Sequence, residues 1–182
     1  MTAVLVIDML NDYFRDGPLV GQRERLVRNI NALVHDARAR ACPVIWVRQE
    51  FAPDLSDAFL VMRKHDIHIT IAGTSGALLL DELDRDPADY EVVKKRYSAF
   101  HGTRLESLLE EMAVRTLVIA GINTHACVRM AAIDAYQRDY EVIVARNCVA
   151  SPDHAHHEMT LVYLDGEIAK VTSDVFAEIG DR

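Results

Sequence analysis

With 182 residues, half of them apolar and 26 % charged, the chain has the composition of one ordinary globular domain, long enough to bury about 70 % of its unfolded surface. Its 28 acidic against 20 basic residues, a formal charge of -8, exclude a protein built to neutralise nucleic-acid phosphates. Cys42, Cys127 and Cys148 are odd in number and form no Cys-x-x-Cys pair, which excludes a disulfide framework or zinc knuckle and suits a reducing cytoplasm.

The first apolar run, Ala3 to Ile7, is too short to span a membrane, and the basic flank and small-residue cleavage site of a signal peptide are missing around it, so the expected location is cytoplasmic. It reads instead as a buried strand. A helix follows over Glu24 to Ala41, with Leu26, Ile30, Leu33, Val34 and Ala37 at helical spacing. Further strands are expected at Pro43 to Val47, Glu91 to Val93, Thr116 to Ala120, Glu141 to Ala145 and Ile168 to Thr172, with helices at Leu105 to Met112 and Val128 to Tyr136. Glu50 to Ser75 is the longest irregular stretch, expected to serve as a lid, a binding loop or an oligomer contact.

Alternation of strand and helix predicts a three-layer α/β/α domain around a six-stranded, mainly parallel, Rossmann-like sheet. With no linker, repeat or low-complexity tract inside it, residues 1–182 are taken as one domain. Right-handed crossovers bring all strand C-termini to one edge, where open sheets of this kind bind ligands.

Three residues fall at that edge. Asp8 ends the first strand, as a ligand-edge carboxylate or as a turn cap. Lys94 follows Val92 and Val93, within a basic cluster with Lys95 and Arg96 that would otherwise simply face solvent. Cys127 closes Gly121-Ile122-Asn123-Thr124-His125-Ala126-Cys127 between a strand and a helix. A helix N-terminus favours a thiolate, so Cys127 reads either as a reactive thiol or, as Cys42 and Cys148 do, as an inert buried one.

Four segments in order carry a resemblance over nearly the whole chain: VLVIDMLNDYF at Val4 to Phe14, IAGTSG at Ile71 to Gly76, VVKKRYSAF at Val92 to Phe100, and AGINTHACV with DAYQRDYEV at Ala120 to Val142. They resemble the isochorismatase-like cysteine hydrolases, a family that includes nicotinamidases, N-carbamoylsarcosine amidase and ureidoacrylate amidases. The resemblance implies the strand order 3-2-1-4-5-6 and an Asp-Lys-Cys triad of Asp8, Lys94 and Cys127. Lys94 rather than Lys95 is selected because the family lysine lies three residues before the Tyr of the YSAF-like segment. It also implies a cis peptide between Ile122 and Asn123 and an oxyanion hole from the backbone N–H groups of Asn123 and Cys127.

The activity so implied is hydrolysis of a small carboxamide, ureide or carbamoyl compound through a thioester, by a homo-oligomer (a dimer or tetramer) that needs no cofactor and binds neither nucleic acid nor membrane. Lys94 is expected to lower the thiol pKa and Asp8 to take its proton. Phe14, Tyr97 and His125 are candidate pocket residues, and Arg129 either meets a substrate carboxylate or pairs with an acidic neighbour.

Two departures stand out. Several nicotinamidases carry an Asp-x-His metal pair after the second strand, where this chain has Arg48-Gln49-Glu50-Phe51, and the family's usual Gln two residues after the Asp is Leu10 here. No metal is therefore expected, and His154, His156 and His157 read as cap or surface residues at a helix start. The competing activities are an isochorismatase-type vinyl-ether hydrolase, in which glycine tends to replace the cysteine, and a non-catalytic or redox-sensing thiol protein on the same fold.

Overall fold

The structure, a computed structural model, describes residues 1–179. Six strands form one all-parallel sheet: β1 (Thr2–Ile7), β2 (Val44–Gln49), β3 (Tyr90–Lys94), β4 (Thr116–Ile122), β5 (Glu141–Ala150) and β6 (Lys170–Thr172). Their order is 3-2-1-4-5-6, as expected. β1 is central and buried along its whole length, pairing Val4 with Val44 on one side and with Val118 on the other. A strand covered on both faces must be apolar throughout, which is why it reads as a continuous hydrophobic run.

Helices α1 (Arg23–Ala39), α2 (Leu60–His65), α3 (Leu105–Glu111), α4 (Arg129–Tyr136), α5 (His154–Leu164) and α6 (Val175–Ile179) cover the two faces. One core packs α1 against alternate residues of the sheet, through Leu26, Ile30, Val34, Val4, Val6 and Trp46. The other packs α3, α4 and α5 against the opposite face, through Leu105, Leu109, Ala131, Leu161, Leu5 and Ile119. Successive β1 side chains thus serve different cores, as strand geometry requires.

The Glu50 to Ser75 segment is more structured than its sequence suggests. It contains α2 and a satellite core of Phe51, Leu55, Ala58, Met62 and Ile71. Two backbone bonds, Phe51 N–H to Thr70 O at 2.9 Å and Ala72 N–H to Phe51 O at 2.8 Å, staple its ends together beside β2. Asp12 holds it from the other side by accepting from Thr70 N–H at 2.7 Å. A Cβ on Gly76 would sit 2.3 Å from that carboxylate, so any other residue there would have to displace Asp12. No helix among the described residues is long and apolar enough to cross a membrane.

Candidate active site

The C-terminal ends of β1, β3 and β4 meet at one point on the sheet edge. Asp8 leaves β1 in a left-handed conformation, φ 55°, while its N–H still bonds Val47 O at 2.8 Å. Its Oδ1 accepts from Gln49 N–H at 2.8 Å, so the tip of β2 fixes the carboxylate. Lys94, the last residue of β3, is fully buried. Its Nζ lies 2.7 Å from Asp8 Oδ2, an ionic contact off the line of an aligned hydrogen bond. The ammonium donates instead to Arg96 O at 3.1 Å and to Cys127 Sγ at 3.4 Å.

Cys127 is carried by a single π-type turn, Thr124–Val128, between β4 and α4; such turns recur at functional sites. The Ile122–Asn123 peptide is cis. Gly121 makes the approach possible. Its φ is 106° and a Cβ there would lie 2.0 Å from Ile7 O, so β4 closes on β1 at the level of Asp8 only with glycine in this place.

The resting thiol is neutral. Burial, together with the charge of Asp8, pushes Cys127 up to about 12 against the opposing pull of Lys94. Lys94 pulls the thiol down, as expected, but the net shift is upward: in a buried site desolvation and the carboxylate outweigh one ammonium. Burial also pulls Lys94 down, but Asp8 and Cys127 more than compensate and leave it raised, hence charged.

Lys95 points elsewhere, pairing with Asp57 at 2.9 Å. Phe14 is 2 % exposed and packs in the core beneath α1; its neighbour Tyr13 reaches the tip of β2. The Tyr13 hydroxyl donates to Gln49 Oε1 at 2.7 Å. Burial, then the charge of Asp8, hold it well above its ordinary pKa, so it stays a donor. Tyr97, half exposed, packs at a tilt against Phe59 of the loop, ring centroids 4.8 Å apart, and Arg96 lies 5.2 Å over the same ring.

His125 supports the turn: its Nδ1 is 2.9 Å from Ser151 Oγ, and burial with His156 nearby lowers its pKa. Asp153 caps α5 by accepting from His156 N–H at 2.9 Å, and His157 Nδ1 meets Thr124 Oγ1 at 2.9 Å. These histidines brace the thiol's turn, and no three His, Cys, Asp or Glu side chains among the described residues converge as a metal site would. Arg48 is spent on Glu50 and on Glu91, the latter at 2.7 Å. Arg129 lies 4.4 Å over the Tyr163 ring, on the face toward α5. Leu10 is buried and bridged to Leu79.

The isochorismatase domain profile matches residues 2–174. The chain belongs to the isochorismatase family. Within this family it is 38 % identical over 163 residues to a protein of Arabidopsis thaliana named probable inactive nicotinamidase, covering 84 % of this chain and 83 % of the relative. It is 31 % identical over 166 residues to the ureidoacrylate amidohydrolase RutB of Methylorubrum extorquens, covering 79 % and 67 %. The crystal structure of an isochorismatase family protein from Desulfovibrio vulgaris superposes with a TM-score of 0.87 at 28 % identity, over 100 % of this chain and 98 % of the other. The isochorismatase fold is therefore present in full, with amidases among the relatives.

Proposed function

We propose that the chain is a cysteine amidohydrolase of a small carboxamide, ureide or carbamoyl compound. The observation that carries this reading is the buried contact set at the sheet edge: Lys94 Nζ touches both Asp8 and Cys127 Sγ, at 2.7 and 3.4 Å. A carboxylate, an ammonium and a thiol have little reason to be packed together for stability, because desolvating them is costly.

The neutral thiol dictates how the reaction starts. Cys127 Sγ attacks the carbonyl carbon while its proton passes to Asp8, so thiolate is formed only as it is consumed. Lys94 offsets the negative charge shared by carboxylate and sulfur. The tetrahedral oxygen is held by the N–H groups of Asn123 and Cys127, an interaction whose loss typically costs about 3 to 4 kcal/mol. Asp8 returns the proton to the departing ammonia or amine as the C–N bond breaks. Water, deprotonated by Asp8, then cleaves the thioester, releasing a carboxylic acid and the free thiol.

Cys127 favours amide over vinyl-ether hydrolysis, which needs no thiol. Because the Arabidopsis relative is named inactive, the reading must be tested by turnover. Carboxamides, ureides and carbamoyl compounds are screened for ammonia release, with Cys127→Ala as control. Activity lost in Cys127→Ser and Asp8→Asn supports the mechanism; near-normal turnover of the same substrate by either refutes it.

The cytoplasmic location and the homo-oligomer belong to the same proposal. Exposed Met159, Val162 and Tyr163 on α5 and Met130 and Tyr136 on α4 supply an apolar surface suited to self-association. Light scattering at micromolar concentration reads the state directly, a monomer refuting it.

A further inference from the structure

The turn that carries Cys127 is held by two histidine rings. Thr124, its first residue, is fully buried, and its Oγ1 lies 2.9 Å from His157 Nδ1 on α5. His125, its second, brings Nδ1 to 2.9 Å from Oγ of Ser151, a buried residue just past the end of β5. Among the described residues neither hydroxyl meets a second side-chain acceptor.

A hydroxyl carries one proton, and leaving a buried one undonated is unfavourable. Ser151 Oγ already accepts from the His125 backbone N–H at 3.3 Å, so its own proton goes to Nδ1. The Thr124 hydroxyl likewise has His157 Nδ1 to donate to. Both rings are therefore neutral, bare at Nδ1 and protonated at Nε2. An imidazolium carries a proton on each nitrogen and accepts nothing, so protonation removes both acceptors and sets N–H against hydroxyl.

The charges around the rings favour the neutral form. Burial, then His156, lowers the pKa of His125 against the pull of Asp153 at the α5 cap. Burial lowers His157 as well; Glu158 opposes it, while His154 on α5, Arg146 on β5 and Arg25 on α1 add to it. Glu158 is itself engaged by Arg146 at 2.8 Å and stands 3.7 Å from His157 Nε2.

We propose that His125 and His157 are positioning residues for Cys127: as neutral acceptors they clamp its turn to the end of β5 and to α5, and protonation in mild acid releases it. The oxyanion donors assigned to Asn123 and Cys127 lose their aim with the turn. Activity then acquires an acid limit set by two groups that take no part in the chemistry. This consequence rests on Cys127 as the nucleophile of an amidohydrolase; the clamp itself does not. In the released turn each ring returns to the ordinary histidine pKa of about 6.5. Release is therefore favoured as pH falls through that value, by up to about tenfold per pH unit for each ring, until the clamped ring also protonates.

Two measurements test this on the intact protein. Long-range proton–nitrogen correlation spectra read the rings directly, assigned by loss of signal in His125→Asn and His157→Asn. At pH 7.5 both rings should show a bare Nδ1 and a protonated Nε2, and both should titrate below the ordinary histidine value. A proton on Nδ1 of either ring at that pH overturns the proposal.

The second measurement follows labelling of Cys127 by a dipyridyl disulfide, which exchanges with thiols even in acid, in wild type and in the variant carrying both His→Asn changes. Asparagine sets an acceptor oxygen close to the place of Nδ1 and takes up no proton. Rates are read by mass spectrometry from pH 8 to pH 5, each normalised to the same protein's value at pH 8, so reagent protonation cancels between the two. By pH 5 the wild-type rate should stand about tenfold above that of the double variant, because its released thiol is exposed; equal normalised rates overturn the proposal. If the double variant does not fold, the spectra decide alone. Any amide turned over by wild type should keep a larger share of its pH 8 kcat at pH 5 in the double variant, and identical profiles overturn the clamp. If the ammonia screen fails while the labelling rates diverge, the amidase reading is wrong and the clamp stands.

Discussion

Lys94→Met removes the ammonium from a site where it is fully buried and 2.7 Å from a carboxylate that is 1 % exposed. At an effective dielectric of about 20 the Coulomb attraction at that separation is about 6 kcal/mol. Taking it away leaves the Asp8 carboxyl in a dry pocket without its counter-charge, with Gln49 N–H still bonded to Oδ1. Breaking one side of a buried pair typically costs about 3 to 5 kcal/mol, a large share of the roughly 5 to 15 kcal/mol that holds an average domain together. Asp8→Asn combined with Lys94→Met removes both charges and should recover most of that loss, standing within about 1 to 2 kcal/mol of wild type. Urea unfolding of wild type, both single variants and the double variant closes a double-mutant cycle. Single variants within about 1 kcal/mol of wild type, or a double variant that simply adds the two losses, would refute the account of the pair as costly to split and retained for chemistry.

Gly121→Ala should be severely destabilising, by about 3 kcal/mol or more, since the new Cβ meets Ile7 O at 2.0 Å under a positive φ; a thermal melt within a few degrees of wild type contradicts this. Because the Cys127 thiol sits at about 12, its alkylation by iodoacetamide should climb about tenfold per pH unit from pH 7 to beyond pH 10. Asp8→Asn removes a charge that raises the thiol and should speed labelling while abolishing turnover; Lys94→Met removes one that lowers it and should slow labelling. A labelling plateau below pH 9 argues against the neutral thiol. Amide turnover should withstand a chelator, because Arg48, paired to Glu91 at 2.7 Å, and Gln49 stand where some nicotinamidases place metal ligands; loss of activity restored by zinc reverses that expectation.

Much of this was legible in the sequence. β1 and β4 are buried on both faces and so read as unbroken apolar runs, which placed Asp8 and Cys127 at their ends. β5 continues to Ala150, beyond its apparent end at Ala145, because Arg146 and Asn147 interrupt its apolar pattern where the register with β4 shifts. α2 was missed within the loop since only Met62 of its six residues is buried. α5 exposes Met159, Val162 and Tyr163, which blurs its helical period.

The pocket was less legible than the triad. Residues Asn11–Phe14 form one 3₁₀ turn, and whether Tyr13 or Phe14 reaches the tip of β2 depends on the phase of that turn, which no periodicity fixes over four residues. Gln49, read only as part of the stretch that lacks a metal pair, was not recognised as the residue that fixes Asp8, because β2 runs two residues past the end of its apolar segment, a length set by pairing with β3 rather than by hydrophobicity. The direction of the thiol's shift also needed the structure: sequence proximity to a lysine says nothing of how dry the site is.

The strand order has a consequence for how the site comes into being. Each strand of this sheet finds its partner only after a crossover, and β1 waits for β4, which begins at Thr116, before its second edge is filled. Such non-local pairing is slow to form and closes long loops before any contact rewards it. During synthesis Asp8 emerges first and Cys127 last of the three, so no fragment ending before Val128 has a docked thiol. Reactivity at Cys127 is thereby tied to completion of the fold: a chain caught part-way has an ordinary, solvent-exposed cysteine, and only the finished sheet converts it into a shielded one beside its acid and its cation.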